Sequence, residues 1–221
     1  SEIVRSLGDC GMDFRTLHSD KFIGQYLSEG KDAEAMELFD ESLRAACAAG
    51  AEKMVLHMWG GVVSDSCFAH NLTYLPRMVD RCGEAGVTLC VENVPCSCGD
   101  PIAHWRDCEA LCPDVRFIYD TRFGYFAGTL ERDVGLFSDE VFGKKTVHMH
   151  ISDFTGVQHD FHCLRPIPMP GEGSIDFNSF FSAIKPIYSG TVTLESPSLD
   201  EHGHVDPERL SEAIEYIRQR L

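Results

Sequence analysis

Short apolar runs alternate with amphipathic stretches along the whole chain. The runs are nearly continuous in Val, Ile, Leu, Met and Phe, which is typical of parallel strands buried on both faces. They predict strands over residues 13–19, 53–59, 87–93, 115–121, 146–153 and 190–196. Between them, apolar positions at helical spacing predict helices over residues 33–49, 72–85, 177–187 and 207–221. The last helix has a clear start, because Asp206 can cap it and Pro207 suits its first position.

Strands that alternate with helices predict an α/β fold with a parallel sheet. A residue able to bind or react stands at the end of each predicted strand: His18, His57, Glu92, Asp120, His150 and Glu195. Successive members of this series are 39, 35, 28, 30 and 45 residues apart, each close to one βα repeat. The carboxyl ends of all strands in a TIM (β/α)₈-type barrel meet at one face. The series therefore favours a barrel over an open sheet, whose first turn is usually glycine-rich.

The predicted strands number six, whereas a TIM barrel has eight. Residues 2–12 resemble a helix that leads into the first predicted strand, so we expect this chain to lack the first one or two βα units. We expect the whole chain, residues 1–221, to form a single TIM-barrel domain. Strand edges left open by the missing units would be a liability that a partner subunit could cover, which would make the protein a homo-oligomer.

The net charge of the chain limits the kinds of molecule that it is expected to bind. Thirty-five acidic residues against nineteen basic ones give a formal net charge of −16, and no cluster of Lys and Arg is visible. Such a protein repels polyanions, so nucleic acid is a poor candidate and a small neutral or weakly anionic substrate is a better one. The absence of an 18-residue apolar run excludes a membrane span, and the N-terminus has no secretory pattern, so we expect a cytoplasmic protein. The ten cysteines are then expected to be reduced and structural, because their spacing lacks the paired pattern of zinc sites.

Four of the strand-end residues form a set of metal ligands: Glu92, Asp120, His150 and Glu195. Three carboxylates and one imidazole suit one divalent cation, which could be Mn²⁺, Mg²⁺, Co²⁺ or Zn²⁺, with positions left open for substrate. Such a cation can hold a sugar's carbonyl and hydroxyl oxygens and stabilise the enediolate that forms when the carbon proton leaves. Glu92 and Glu195 are the candidates for the catalytic base and acid.

Five segments resemble successive motifs of the xylose-isomerase-like TIM-barrel superfamily: VENVP (91–95), YDTRFGYFAG (119–128), HMHISDF (148–154), PGEGSIDF (170–177) and TLESP (193–197). This superfamily includes sugar phosphate isomerases, ketose 3-epimerases, hydroxypyruvate isomerase, inosose dehydratase and the type IV AP endonucleases. The resemblance covers essentially the whole chain. It implies the same four residues as metal ligands, and its H-x-x-D pattern favours His150 over His148, with Asp153 as the partner of His150.

The resemblance leaves the activity open. Phe123 stands where the AP endonucleases and many ketose epimerases have a histidine, while Asp160 and His162 resemble a D-x-H pair of the endonucleases. We expect an isomerase or epimerase of carbohydrate metabolism that acts on a sugar or sugar phosphate, a keto-inositol or a small hydroxy-keto acid. The alternatives are a metallo-hydrolase acting on abasic DNA and a catalytically silent barrel that binds a ligand. The expected substrate contacts come from four side chains: His57, His162, Arg122 and Asp153.

Overall fold

The structure is a computed structural model that describes residues 5, 8, 9, 11, 15–61, 63–200 and 202–221. Most of the helix expected over residues 2–12 lies outside these residues. By the contacts between its Cα atoms the chain divides into two compact units, residues 1–117 and residues 118–221. The single domain expected over residues 1–221 stays a prediction.

The strands follow one another in the sheet in their order along the chain. They are β1 (Thr16–His18), β2 (Lys53–Leu56), β3 (Thr88–Glu92), β4 (Arg116–Asp120), β5 (Thr146–Ile151) and β6 (Thr191–Leu194). The pairs β1–β2, β2–β3 and β5–β6 are parallel, as the alternating pattern predicts. Each strand lies within its predicted range but is shorter, and residues 13 and 14 of the first range are outside the described part of the chain.

Burial differs between inner and outer strands. Strands β2, β3, β4 and β5 are buried over nearly their whole length, which confirms the prediction from their continuous apolar runs. Strands β1 and β6 contain no fully buried residue, so the prediction of burial on both faces is wrong for them. They are the first and last of the described strands in the sheet order, so each pairs with only one other described strand.

The first unit contains the helices α1 (Phe22–Ser28), α2 (Asp32–Ala49), α3 (Phe68–Leu72), α4 (Leu75–Glu84) and α5 (Pro101–Leu111). The prediction of one helix over residues 72–85 is wrong at its start, because α3 ends at Leu72 and α4 begins at Leu75. Pro76 explains the break: it has no N–H, and its ring would clash with the carbonyl of Leu72 in a continuous helix. Pro76 is instead accommodated in the first turn of α4.

Helix α1 packs directly on the backbone that follows β2. A Cβ atom on Gly24 would lie 2.4 Å from the carbonyl oxygen of His57 and 2.6 Å from the backbone nitrogen of Trp59, so only glycine permits this approach. Asn71 fixes the contact, since its Nδ2 donates to the carbonyl oxygens of Gly24 at 3.1 Å and Met58 at 2.9 Å. The position of His57 is therefore set by the packing of α1.

The second unit contains α6 (Thr121–Phe126), α7 (Leu130–Asp133), α8 (Phe142–Lys145), α9 (Phe177–Ile184) and α10 (Pro207–Arg218), with 3₁₀ turns at Val134–Ser138 and Phe161–Leu164. Helices α9 and α10 confirm the predicted helices over 177–187 and 207–221, although both end earlier. Asp206 caps α10 as predicted, because its carboxylate accepts from the backbone N–H groups of Glu208 and Arg209. Among the described helices, none is both long and apolar enough to cross a membrane.

Candidate metal centre

The structure places the predicted site residues at the carboxyl ends of the strands. His18, Glu92 and Asp120 are the last residues of β1, β3 and β4. His57 and Glu195 directly follow β2 and β6, and His150 is the penultimate residue of β5. In the parallel pairs β1–β2, β2–β3 and β5–β6, side chains at these points lie at the same edge of the paired strands.

In the second unit, Asp120, His150 and Glu195 bring their ligand atoms together. One ligand atom of each lies within 4.8 Å of those of the others, and Nδ1 of His150 is 3.2 Å from Oε1 of Glu195. Asp120 and His150 are buried, while the side chain of Glu195 is 28% exposed. Two carboxylates and an imidazole in this arrangement fit a divalent cation, because these donors suit metals such as Mn²⁺ or Zn²⁺.

The carboxylate of Asp120 is oriented by the start of α6. Its Oδ1 accepts a hydrogen bond from the backbone N–H of Phe123 at 3.0 Å, so that Asp120 is both the end of β4 and the N-cap of α6. The guanidinium of Arg122 lies 3.8 Å from Oδ2 of the same carboxylate. A fixed carboxylate is a better metal ligand than a mobile one, since outer contacts orient the donor atoms.

Arg122 is a buried cation in this unit. Its Nε donates to Oγ of Ser152 at 3.3 Å, its Nη1 donates to the carbonyl oxygen of Leu164 at 3.1 Å, and its guanidinium lies 4.4 Å from the centre of the Phe123 ring. These contacts hold the guanidinium beside Asp120. The role predicted for Arg122, that of gripping a substrate, stays a prediction.

A second set of hydrogen bonds ties α6 to the end of β5. Oγ1 of Thr121 donates to the carbonyl oxygen of Ser152 at 2.8 Å and also lies 3.3 Å from its backbone N–H, which donates in return. Along β5, Nδ1 of His148 is 2.6 Å from Oγ1 of Thr191, whereas His150 faces Glu195. Asp120 and His150 thus belong to two strand ends that are joined by direct hydrogen bonds.

Asp153 organises the loop that contains the PGEGS segment. Its side chain is fully buried, with Oδ1 accepting from the backbone N–H groups of Phe154 and Ile175 and Oδ2 accepting from those of Gly171 and Gly173. A Cβ atom on Gly173 would lie 2.4 Å from Oδ1, so the chain passes too close for any other residue. Contact of Asp153 with a substrate stays a prediction, as does its partnership with His150.

The first unit holds a second group of ligand atoms. Oε2 of Glu92 lies 2.6 Å from Nε2 of His57 and 3.4 Å from Nε2 of His18, and the two rings meet edge to face at 4.7 Å. The side chain of Glu92 is only 1% exposed. A buried carboxylate is costly unless it is paired, and the two imidazoles supply that pairing. These three residues also satisfy the spacing expected of ligands to a cation.

The structure places His162 in a short turn of the second unit. It occupies the exposed 3₁₀ turn Phe161–Leu164, where its backbone N–H donates to Oδ1 of Asp160 at 2.9 Å. The D-x-H resemblance at this point therefore coincides with a side-chain cap of a turn. The role predicted for His162 in orienting a substrate stays a prediction.

A third group, which sequence reasoning missed, consists of Asp65, Cys96 and His104 in the first unit. Burial alone would raise the pKa of Asp65, but hydrogen bonds from His104 and from the backbone N–H groups of Cys98 and Ser97 hold that pKa well below its usual range. Burial and the neighbouring Asp65 raise the pKa of the Cys96 thiol. The nine cysteines that the structure describes are all free thiols.

Comparisons with known proteins agree on the fold. The sequence model of the xylose isomerase-like TIM barrel family matches residues 9–220. A D-tagatose 3-epimerase-like protein matches with a TM-score of 0.73 at 17% identity, over 99% of this chain and 80% of that protein. The IolI protein, solved with a zinc atom, matches with a TM-score of 0.65 at 17% identity, over 98% and 79% of the two chains.

The D-allulose 3-epimerase of Methylomonas sp., solved in complex with D-allulose, matches with a TM-score of 0.66 at 19% identity, over 99% of this chain and 80% of that protein. No protein of curated function matches the chain in sequence. Identities this low establish the fold and leave the reaction open. The predicted fold class, an α/β chain of the TIM-barrel type, is confirmed.

Proposed function

The chain belongs to the xylose isomerase-like TIM barrel family, and on this premise we propose that it is a divalent-metal-dependent isomerase or epimerase of a small sugar or sugar phosphate. The observation that carries the proposal is the clustering of Asp120, His150 and Glu195, whose ligand atoms lie within 4.8 Å of one another. Solved structures of similar fold include epimerases of D-allulose and of 3-keto-D-glucoside.

Glu92 is proposed as the fourth ligand. Glu92 is the last residue of β3, as Asp120 is the last residue of β4, and its carboxylate is nearly fully buried. The chemistry of the four donors fits Mn²⁺, Mg²⁺, Co²⁺ or Zn²⁺. When bound, such a cation polarises a carbonyl oxygen and so makes the proton on the neighbouring carbon easier to remove.

The chain's own groups would move that proton. Glu195 is partly exposed and lies 3.2 Å from His150, so it can reach a substrate while its carboxylate stays oriented. Nε2 of His57 lies 2.6 Å from Oε2 of Glu92, so the imidazole can exchange a proton with this carboxylate. One glutamate removes the proton from carbon and the other returns a proton to the carbon skeleton, so the substrate is isomerised without net gain or loss of protons.

The charge of the chain supports a small substrate. A formal charge of −16 disfavours nucleic acid, and a bound cation would offset negative charge locally at the four ligands. His57, His162, Arg122 and Asp153 remain the proposed substrate-binding residues. We expect the protein to act in the cytoplasm, where its cysteines stay reduced, and to form a homo-oligomer.

The proposal is tested by Mn²⁺ binding to the wild type, to Glu195→Gln and to Glu212→Gln, a matched change on the exposed face of α10. Mn²⁺ is used because it prefers oxygen and imidazole donors over thiols. We expect tight binding of one Mn²⁺ per chain in the wild type and the control, with affinity at least about tenfold weaker in Glu195→Gln. Incorporation of deuterium from D₂O into a panel of ketoses, followed by NMR, then identifies the substrate. Equal Mn²⁺ affinity in all three proteins would contradict the proposed ligand set.

The group of His18, His57 and Glu92 favours a second candidate, a multi-metal hydrolase acting on abasic DNA. Its ligand atoms also lie within 4.8 Å of one another, so they could hold an additional cation. Phe123 in place of a histidine ligand and the strongly acidic charge argue against this activity. Cleavage of an oligonucleotide with an abasic site by the Zn²⁺-loaded protein would favour the hydrolase. Failure to bind Mn²⁺, Co²⁺ or Zn²⁺ would leave a catalytically silent barrel.

A further inference from the structure

We propose that Asp65, Cys96 and His104 form a zinc site that is separate from the carboxylate centre and clamps the loops that follow β2 and β3. Ligand atoms of the three residues lie within 4.8 Å of one another, and Oδ2 of Asp65 is 2.9 Å from Nε2 of His104. Asp65 lies in the segment after β2, Cys96 in the segment after β3, and His104 in the first turn of α5. None of these residues belongs to the ligand set of the proposed sugar site.

The donors select the metal. A thiolate, an imidazole and a carboxylate together suit Zn²⁺, whereas Mg²⁺ and Mn²⁺ prefer oxygen ligands. In a tetrahedral zinc site with bonds of about 2.0–2.3 Å, neighbouring donor atoms lie about 3.3–3.6 Å apart. The ligand atoms of Asp65 and His104 are 2.9 Å apart and those of all three residues lie within 4.8 Å of one another, a range that includes the spacing of a tetrahedral site.

Neighbouring residues hold the side chains of Asp65 and His104 in position. Oδ1 of Asp65 accepts from the backbone N–H groups of Ser97 at 2.8 Å and Cys98 at 2.9 Å, so the carboxylate turns its other oxygen toward His104. The ring of His104 stacks on Phe68 with centres 3.8 Å apart, and it meets the edge of Trp59 at 5.0 Å. Such outer contacts are what orient the ligands of protein metal sites.

Gly99 leaves room beside the donor atoms. A Cβ atom at this position would lie 3.0 Å from Oδ2 of Asp65 and 3.0 Å from Nε2 of His104, so any other residue would fill the space next to the pair. The side chains of Asp65 and His104 are 1% and 14% exposed, which keeps bulk water away. Three protein ligands leave a fourth position that a water molecule can occupy.

A cation at this site would join three chain segments that Asp65 already links through its contacts with Ser97, Cys98 and His104. It would hold the loop that begins directly after Glu92, because Cys96 is the fourth residue beyond the end of β3. Ligands that bind only the folded state stabilise it by mass action. The expected effect of the cation is therefore to stabilise the folded state, and this effect is independent of whether the carboxylate centre isomerises sugars.

The test uses Co²⁺ as a spectroscopic substitute for Zn²⁺ in the reduced, chelator-treated protein. A cysteine thiolate bound to Co²⁺ gives a near-ultraviolet charge-transfer band that carboxylate and imidazole ligands do not give. We expect this band in the wild type, in Glu195→Gln and in Cys98→Ser, which alters an exposed cysteine of the same loop. In Cys96→Ser the band should vanish, and Zn²⁺ affinity should fall by about a hundredfold or more, since even loss of an outer partner costs 10–100-fold.

If Cys96→Ser does not fold, the zinc site can still be tested in the wild type by cysteine alkylation. Alkylation of individual cysteines, followed by mass spectrometry of peptides, should slow at Cys96 when Zn²⁺ is added and stay unchanged at Cys98. Absence of the charge-transfer band from the wild type, or equal alkylation of Cys96 with and without Zn²⁺, would overturn the site. Glu195→Gln changes only the carboxylate centre. If this variant keeps the charge-transfer band, the zinc site exists whether or not the carboxylate centre is an isomerase site.

Discussion

Replacing Asp153 by asparagine should destabilise the second unit, and the structure gives the size of the effect. The carboxylate has two oxygens, and each accepts two backbone N–H groups. In asparagine an NH₂ group replaces one oxygen, so two of these donors face another donor. The hydrogen bonds from Phe154 and Ile175 are buried, whereas those from Gly171 and Gly173 are partly buried. The amide oxygen should therefore keep the two buried hydrogen bonds, and the NH₂ group should face the two glycines.

A buried N–H that loses its acceptor costs about 1–3 kcal/mol. Water can partly replace the acceptor at the two glycines, so we take about 1–2 kcal/mol for each and expect a loss of about 2–4 kcal/mol in the free energy of unfolding. In a chain of 221 residues, each kcal/mol changes the melting temperature by about 2–4 °C. The variant should therefore melt about 4–16 °C below the wild type.

The assay is thermal unfolding followed by circular dichroism, with Asp176→Asn as the matched control. Asp176 caps α9 on the surface, where its Oδ1 accepts from the backbone N–H of Ser179 at 3.1 Å. Asparagine caps a helix about as well as aspartate, so this control should change stability by less than about 0.5 kcal/mol. If the two variants melt within about 2 °C of each other, the buried hydrogen bonds of Asp153 do not stabilise the loop as argued.

The remaining predictions concern three other positions. Gly24→Ala should lower the free energy of unfolding, measured in urea, by about 1–3 kcal/mol, because the new Cβ atom would meet backbone atoms at 2.4–2.7 Å. In the control Gly83→Ala the Cβ atom would meet nothing within 4 Å, so the free energy of unfolding should rise by about 0.5–1 kcal/mol. Equal effects of the two substitutions would refute the close approach at Gly24. Arg122→Lys should weaken Mn²⁺ binding about tenfold in calorimetry, because lysine lacks the planar fork that holds the cation beside Asp120, and unchanged affinity would contradict that positioning. The pKa of Asp65 is depressed in the folded protein, so its stabilising effect is full above about pH 4 and is lost as the pH falls further. With a chelator present, the stability difference between the wild type and Asp65→Asn should shrink below that pH, and a constant difference would refute the assignment.

The sequence predicted the strand ends well where a charged residue follows an apolar run. Glu92 and Asp120 are recognisable as strand ends because a buried strand cannot continue through an ionised side chain without compensation. The same reasoning did not find α5, although Asp100 and Pro101 carry the same cap and proline signal that identified the start of α10. That helix was predictable from the signal already in use.

Other features lay beyond sequence reasoning. The seven residues of α1 span about two turns, too few to show a helical period, and the helix depends on packing at Gly24. The group of Asp65, Cys96 and His104 has spacings of 31 and 8 residues, which correspond to no known ligand motif. Long-range contacts of this kind are made by tertiary structure, so a single sequence contains no periodic trace of them.

The two βα connections next to the proposed metal ligands of the second unit differ in how well they can tolerate insertions. Helix α6 begins on the residue directly after β4, with Asp120 shared between the strand and the cap of the helix. Between β5 and α9, in contrast, residues 152–176 contain only one short 3₁₀ turn. An insertion after β4 would separate Asp120, a proposed metal ligand, from the helix that it caps, whereas one at residues 155–165 would leave β5, α9 and the contacts of Asp153 in place. Changes of specificity during the evolution of this chain, or in a designed library, are therefore expected to accumulate after β5 and to be nearly absent after β4.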